Sequence, residues 1–100
     1  MGITTHHSED GEEVTVSVAG RFDYRFYDSF KASISSIEDS HLVHVDLSQA
    51  DYIDSSALGM LLILREKVGK VAEILLVDPS PDVARILSIA NFDKLFAIKQ

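Results

Sequence analysis

No cysteine occurs among the 100 residues, which excludes a disulfide framework and thiol chemistry and suits a cytoplasmic setting. Long apolar runs are lacking too. The longest falls well short of the roughly 18–20 residues that a membrane-crossing helix needs, and the N-terminus has neither a basic nor a leader-like apolar segment. The expectation is a soluble protein that is not exported. Basic residues are scarce: nine Lys and Arg stand against sixteen Asp and Glu, a formal charge of −7. That balance disfavours nucleic-acid phosphates and anionic membrane surfaces as partners, and it points to the neutral or cationic face of another protein. Internal repeats, low-complexity segments and Pro/Gly/Ser-rich linkers are also absent. With 46% hydrophobic residues, the chain is expected to form one domain, 1–100, with a real core.

What is present organises itself around Asp51-Tyr-Ile-Asp-Ser-Ser-Ala-Leu-Gly-Met-Leu-Leu62. Before this stretch, Leu42 to Leu47 reads as a buried strand, and Ser48-Gln-Ala50 reads as its short polar exit. After it, the residues from Ala57 to Leu64 are apolar except for Gly59. They predict a central helix from about Ser55 to Val68, with Gly69 as its stop. Ile3 to Glu9 predicts a weak first strand, closed by the Asp10-Gly11 turn signal. Val14, Val16 and Val18 alternate with Thr15, Ser17 and Ala19, the period of a strand with one buried face, and Gly20 is expected to end it. Phe26, Phe30, Ile34 and Ile37 recur at helical spacing, with Asp23 a candidate cap.

A third parallel strand is expected at Ala72 to Val77, after which Ser80 and Pro81 form an N-cap and first-turn pair. Val83, Ile86, Leu87 and Ala90 follow at helical spacing, and Asn91 can close that helix in the left-handed conformation. Phe92 to Ile98 is expected to fold back as a turn and a short last strand. The order ββαβαβα, with a possible final β, predicts an α/β fold: a small, mixed, largely parallel sheet of four to five strands packed with three to four helices.

Asp54, Ser55 and Ser56 are residue types that accept hydrogen bonds from the free N–H groups of a helix's first turn. Capping therefore explains them without any function. Gly59 one turn later weakens a helix, and it is accounted for if another backbone or a partner approaches closely there. Tyr24 and Tyr27 are candidate partner anchors, whereas Phe26 and Phe30 read as core. The histidines do not form a metal set: His41 and His44 fall on opposite faces if both lie in the strand, as do the adjacent His6 and His7, and there is no Cys to join them. The nucleophile elbow Gly-x-Ser-x-Gly and the nucleotide-binding glycine patterns are missing, and Asp46, Asp51 and Asp54 read as caps and solvated loop residues rather than a magnesium site. No cofactor and no catalysis are expected.

The run Val45-Asp-Leu-Ser-Gln-Ala-Asp-Tyr-Ile-Asp-Ser-Ser-Ala-Leu-Gly59 resembles the signature of the STAS domain as found in bacterial anti-sigma factor antagonists. The likeness extends to a Gly-x-x-Asp element at Gly20 to Asp23, to the element order and to the length. It implies that Ser56 is a site of reversible phosphorylation, and that Asp23 beside it, with Asp54, Ser55, Ala57 and Gly59, belongs to the partner-binding surface. It implies as partners an anti-sigma factor that is also a serine kinase, and a PP2C-type phosphatase that restores the serine. The unphosphorylated protein would then hold the anti-sigma factor and free a sigma factor. Ala57 departs from the commoner glycine, and Tyr24, Phe26 and Tyr27 make the segment after Asp23 unusually aromatic.

The alternative is a STAS interaction module serving another bacterial output, such as biofilm, polysaccharide or motility control, through a different partner. A small-ligand or nucleotide-binding module is a third reading, which nothing specific in the chain favours. The charge, together with the lack of an obvious uncovered apolar helix face, leads to the expectation of a monomer when free.

Overall fold

The computed structural model describes residues 2–37, 41–69 and 72–100. In chain order the elements are β1 (Gly2–His7), β2 (Glu13–Phe22), a 3-10 turn (Tyr24–Phe26), α1 (Tyr27–Ser35), β3 (Leu42–Ile53), α2 (Ser55–Val68), β4 (Glu73–Val77), α3 (Pro81–Ile89), a second 3-10 turn (Phe92–Lys94) and β5 (Ala97–Lys99). The strands form one sheet in the order β1-β2-β3-β4-β5. β1 pairs antiparallel to β2, and the three later pairings are parallel. The expected mixed, largely parallel sheet is therefore present, and the final strand closes it.

Each helix connects a strand to the next one along the sheet. Crossovers that step repeatedly in one direction with the usual right-handed sense put their helices on one face. Burial agrees with this. Val14, Val16 and Val18 of β2, Val43, Val45 and Leu47 of β3, and Ile74 and Leu76 of β4 are fully or nearly fully buried. The intervening Thr15, Ser17, His44, Asp46, Leu75 and Val77 are half-buried. From the helices, Phe30 and Ile34, then Ala57, Met60, Leu61 and Leu64, then Val83 and Leu87 complete the core. β1 is tied to this layer by a side-chain hydrogen bond of 2.7 Å between Thr5 Oγ1 and Ser33 Oγ of α1, which accounts for a serine buried in that helix.

Two strands differ from their sequence reading, and both differences bear on the site. β2 does not end at Gly20; it runs through that residue, at φ +94°, to Phe22. β3 does not exit at Ser48 but continues to Ile53. The pairing of β2 with β3 slips twice, between Ser17 and Ala19 and between Gly20 and Arg21, each time with an extra residue on β3. The buried residues of β3 accordingly step from Leu47 to Ala50 to Ile53. A strand with such irregularities loses the period of two by which it would be recognised.

The helix ends follow local chemistry. Ser80 Oγ accepts the Val83 N–H with Pro81 in the first turn. Gly69 stops α2 at φ +56°, and Asn91 adopts the left-handed conformation at φ 62°. Asp23 caps the 3-10 turn rather than α1 itself, which begins at Tyr27. The packing of Phe22, Phe26 and Phe30 next to this turn joins β2 to α1, with the Phe22 and Phe30 ring centroids 5.3 Å apart. Phe30→Ala should therefore cost about 3–5 kcal/mol in urea denaturation. Tyr24→Ala, on the solvent side of the same segment, should stay within about 0.5 kcal/mol of wild type.

Candidate functional site

The extended ends of β2 and β3 lie side by side, and the chain leaves them in two directions: into the 3-10 turn after Phe22 and into α2 after Ile53. One backbone hydrogen bond joins the two exits, from Asp54 N–H to the Phe22 carbonyl at 3.3 Å. This places Asp23, the residue after Phe22, beside the start of α2, so residues 31 or more positions apart in the chain meet at one end of the sheet.

At the start of α2 the roles within the acidic and serine triplet are separated. Asp54 is the N-cap: its Oδ1 accepts the Ala57 N–H at 2.9 Å, and its carbonyl accepts the Leu58 N–H at 3.1 Å. Ser55 and Ser56 occupy the first turn and are exposed. No hydrogen bond to the Ser56 hydroxyl is formed by any of the described residues. Ala57 is fully buried beneath them, so its side chain contributes to the core. Gly59 is half-buried, and a Cβ placed on it would meet nothing within 4 Å.

Asp23 is buried, with 6% of its surface exposed, and its carboxylate is engaged on both oxygens. Arg25 donates from its backbone N–H and Nε to Oδ1 at 3.1 and 3.0 Å, and from Nη2 to Oδ2 at 2.9 Å. Arg21 stands 3.8 Å from Oδ2. These donors, the Arg25 guanidinium foremost, hold the Asp23 carboxyl below its ordinary value against the opposing effect of burial. The groups that this end of the sheet offers to solvent are instead Arg25, Tyr24, Tyr27 and Tyr52, with the Arg21 guanidinium 4.3 Å from the centre of the Tyr52 ring.

The structure thus brings together Asp23, Asp54, Ser55, Ser56, Ala57 and Gly59, but puts Asp23 and Ala57 beneath the surface. Arg21, Arg25 and Tyr52 are additional members that the sequence reading did not pick out. The spacing Arg21-x-Asp23-x-Arg25 was a readable signal, since it puts a guanidinium group two residues away on either side of one carboxylate.

The histidines lie elsewhere, at the opposite ends of the parallel strands. His41 pairs with Glu12, and His44 Nε2 lies 2.8 Å from Glu13 Oε1. Among the described residues no three His, Asp or Glu side chains are grouped as a metal site. No helix among them is long and apolar enough to cross a membrane.

The sequence profile of the STAS domain matches residues 4–100. A STAS-domain containing protein of Pseudomonas aeruginosa strain UCBPP-PA14 is 44% identical over 100 residues, spanning 98% of this chain and 99% of that protein. Among solved structures, an anti-sigma factor antagonist from Mycobacterium paratuberculosis superposes with a TM-score of 0.83 at 25% identity, covering 98% of this chain and 86% of that one. The anti-sigma factor antagonist SpoIIAA in its unphosphorylated form also gives 0.83, at 17% identity, over 99% of this chain and 89% of its own.

The Asp23 pairing sets a pH dependence. Because its folded-state value lies below the unfolded one, the pairing stabilises the fold above the ordinary carboxylate range and loses that effect as the pH falls through the folded value. Asp23→Asn should be less stable than wild type at neutral pH in urea denaturation. The gap should narrow steadily below about pH 4.

Proposed function

The chain belongs to the STAS domain family, and from that premise we propose that it is an anti-sigma factor antagonist, a cytoplasmic protein-binding switch with no catalysis of its own. In the unphosphorylated form it binds an anti-sigma factor that is also a serine kinase, and so frees a sigma factor. That kinase phosphorylates Ser56, and a PP2C-type phosphatase restores it.

The observation that carries this reading is the separation of cap from serine. Asp54 performs the capping of α2, so the exposed Ser56 is not needed to start the helix, and its hydroxyl is available to a kinase. A phosphate there would add about −1.5 to −2 charge and three acceptor oxygens. At the N-terminus of a 14-residue helix the free N–H groups and the dipole accommodate such a group, so the domain keeps its fold. A partner packed against the same turn meets added bulk, a desolvation cost and repulsion from its own acidic groups. A loss of about 3 kcal/mol is already more than a hundredfold in affinity.

Ser56→Ala should bind the kinase as wild type does and lose phosphorylation. Ser56→Asp should weaken binding, while both variants melt within about 0.5 kcal/mol of wild type. The decisive experiment is a pull-down from lysate of the native organism with wild type, Ser56→Ala and Ser56→Asp as baits, with the retained proteins identified by mass spectrometry. A kinase-like anti-sigma protein on the first two baits and not on the third is the expected result. One non-kinase partner on all three would replace the switch with a constitutive interaction module, and phosphorylation that persists in Ser56→Ala but disappears in Ser55→Ala would move the site.

A further inference from the structure

The sheet ends on two edges, β1 and β5, and they are not built alike. β5 is three residues long and includes the exposed Lys99; brevity and a lysine are two of the ways in which proteins keep an edge from pairing with other strands. β1 has neither. It runs for six residues, Gly-Ile-Thr-Thr-His-His, without Asp, Glu, Lys, Arg or Pro, and it pairs with β2 residue for residue, with no bulge to twist it away. Ile3, Thr4 and Thr5 are residue types that favour a strand. In a chain with 25% charged residues, the longer edge is left undefended.

The hairpin fixes which backbone groups lie on that edge. Ser8 donates its N–H to the Glu13 carbonyl at 2.9 Å, and facing residues of an antiparallel pair alternate between hydrogen-bonded and non-bonded. With the register running from Gly2↔Ala19 to His7↔Val14, Gly2, Thr4 and His6 turn their N–H and C=O groups to β2. Ile3, Thr5 and His7 turn theirs outward, where no described residue meets them. The approach to these groups is open. Tyr27, Phe30, Lys31 and Ile34 of α1 line a shallow groove with Met60 and Ile63 of α2, so the side of α1 towards β1 is the one with Ser33, whose hydroxyl meets Thr5. Around Ser33 stand Ser29, Ala32 and Ser36, exposed and too short to overhang the edge.

We propose that β1 pairs antiparallel with β1 of a second copy of the chain, about a two-fold axis through Thr5, so that the two sheets continue into one another. An extended edge is matched in spacing and direction by another extended strand, and this one is matched by itself. With Thr5 opposite Thr5, Ile3 falls opposite His7 and His7 opposite Ile3. Outward-turned residues then meet only outward-turned residues, and every outward N–H of both copies reaches a carbonyl. An axis through Thr4 or His6 would set them against residues already bonded to β2. The side chains agree with this register, since Thr4 comes beside His6 and no two Asp, Glu, Lys or Arg side chains are brought face to face. The expectation of a monomer rested on the chain's charge and on helices without an uncovered apolar face. The second premise is corrected by α2, whose Leu62 and Ile63 are 44% and 41% exposed. The first concerns the whole chain: repulsion between copies of −7 is screened beyond about 10 Å at 0.1 M salt, and the paired strand contributes none of it. α2 crosses from β3 to β4, with β2 between it and the edge. Ser56 therefore stays exposed in both copies, at opposite ends of the joined sheet, and the pairing does not depend on the antagonist reading.

Sedimentation equilibrium of the purified chain, from micromolar to millimolar concentration at physiological salt, should approach twice the mass of one chain at the upper end. Amide hydrogen exchange followed by NMR reads the same event residue by residue. Thr4 and His6, bonded to β2, should be protected at every concentration, whereas Ile3, Thr5 and His7 should gain protection only as the dimer forms. Thr5→Pro removes the N–H at the axis and with it both bonds between the two Thr5 residues, so it should weaken dimerisation about tenfold or more. Thr5→Val keeps that N–H and loses only the hydroxyl bonded to Ser33, so it should dimerise as wild type does. A chain that stays monomeric throughout overturns the proposal. So does a dimer in which the Ile3, Thr5 and His7 amides exchange as in the monomer; its dissociation by Leu62→Ser would locate the contact on α2 instead. Dimerisation of Thr5→Pro at wild-type strength, with an unchanged circular dichroism spectrum, also overturns it. The exchange measurement on wild type needs no variant and decides the question even if Thr5→Pro does not fold.

Discussion

The arrangement at the functional end of this protein depends on a single seam, where the exits of β2 and β3 are pinned by the hydrogen bond from Asp54 N–H to the Phe22 carbonyl. Below the seam, Phe22 and Ile53 are buried and fix the two strands in the core. Above it, Asp54 turns the chain into α2 and Asp23 turns it into the 3-10 turn. Two carboxylates therefore sit at adjacent corners, and each is satisfied locally: Asp54 by the helix N–H of Ala57, Asp23 by Arg25 and Arg21. Unpaired, they would repel each other and carry a desolvation penalty. Paired, they are structural, and the serines between and above them are released from structural work.

That division of labour makes a phosphorylation switch physically reasonable. A modified residue that also caps a helix or fills the core would couple modification to unfolding. Here the cap is an aspartate, the core residue is Ala57, and the hydroxyl is exposed. The surroundings are equally divided. The chain is strongly acidic overall, yet the surface near the serine displays two guanidinium groups and three tyrosines, the residue types that carry binding energy at protein interfaces. α2 extends the same surface with an apolar stripe and a glycine. Gly59 weakens its helix and the exposed Leu62 and Ile63 leave apolar surface in water, whereas the two arginines stabilise the fold through Asp23.

Much of the architecture was legible because it follows from local rules. Period-two valines marked β2, apolar residues at helical spacing marked the helices, and Ser80, Pro81, Gly69 and Asn91 marked their ends through conformations and hydrogen bonds that involve only near neighbours. What was not legible arose wherever two distant segments adjust to each other. The extra residues in β3 change its burial steps from two to three, so a buried strand end resembled a polar loop. Gly20, a residue that usually ends a strand, was absorbed within one by its positive φ.

The sequence by itself determined the α/β order, the capped helix start that carries Ser56, and the pattern that places the chain in its family, because each is written in residues close together in the chain. Tertiary structure alone decided that the end of β2 meets the start of α2, so that Asp23 comes beside Asp54, that Arg21 stacks on Tyr52, and that Leu62 and Ile63 of α2 remain exposed. The physical reason is that exposure, and contacts such as that of Arg21 with Tyr52, depend on what lies across a gap of about 30 residues. No local pattern records which neighbour the fold brings there.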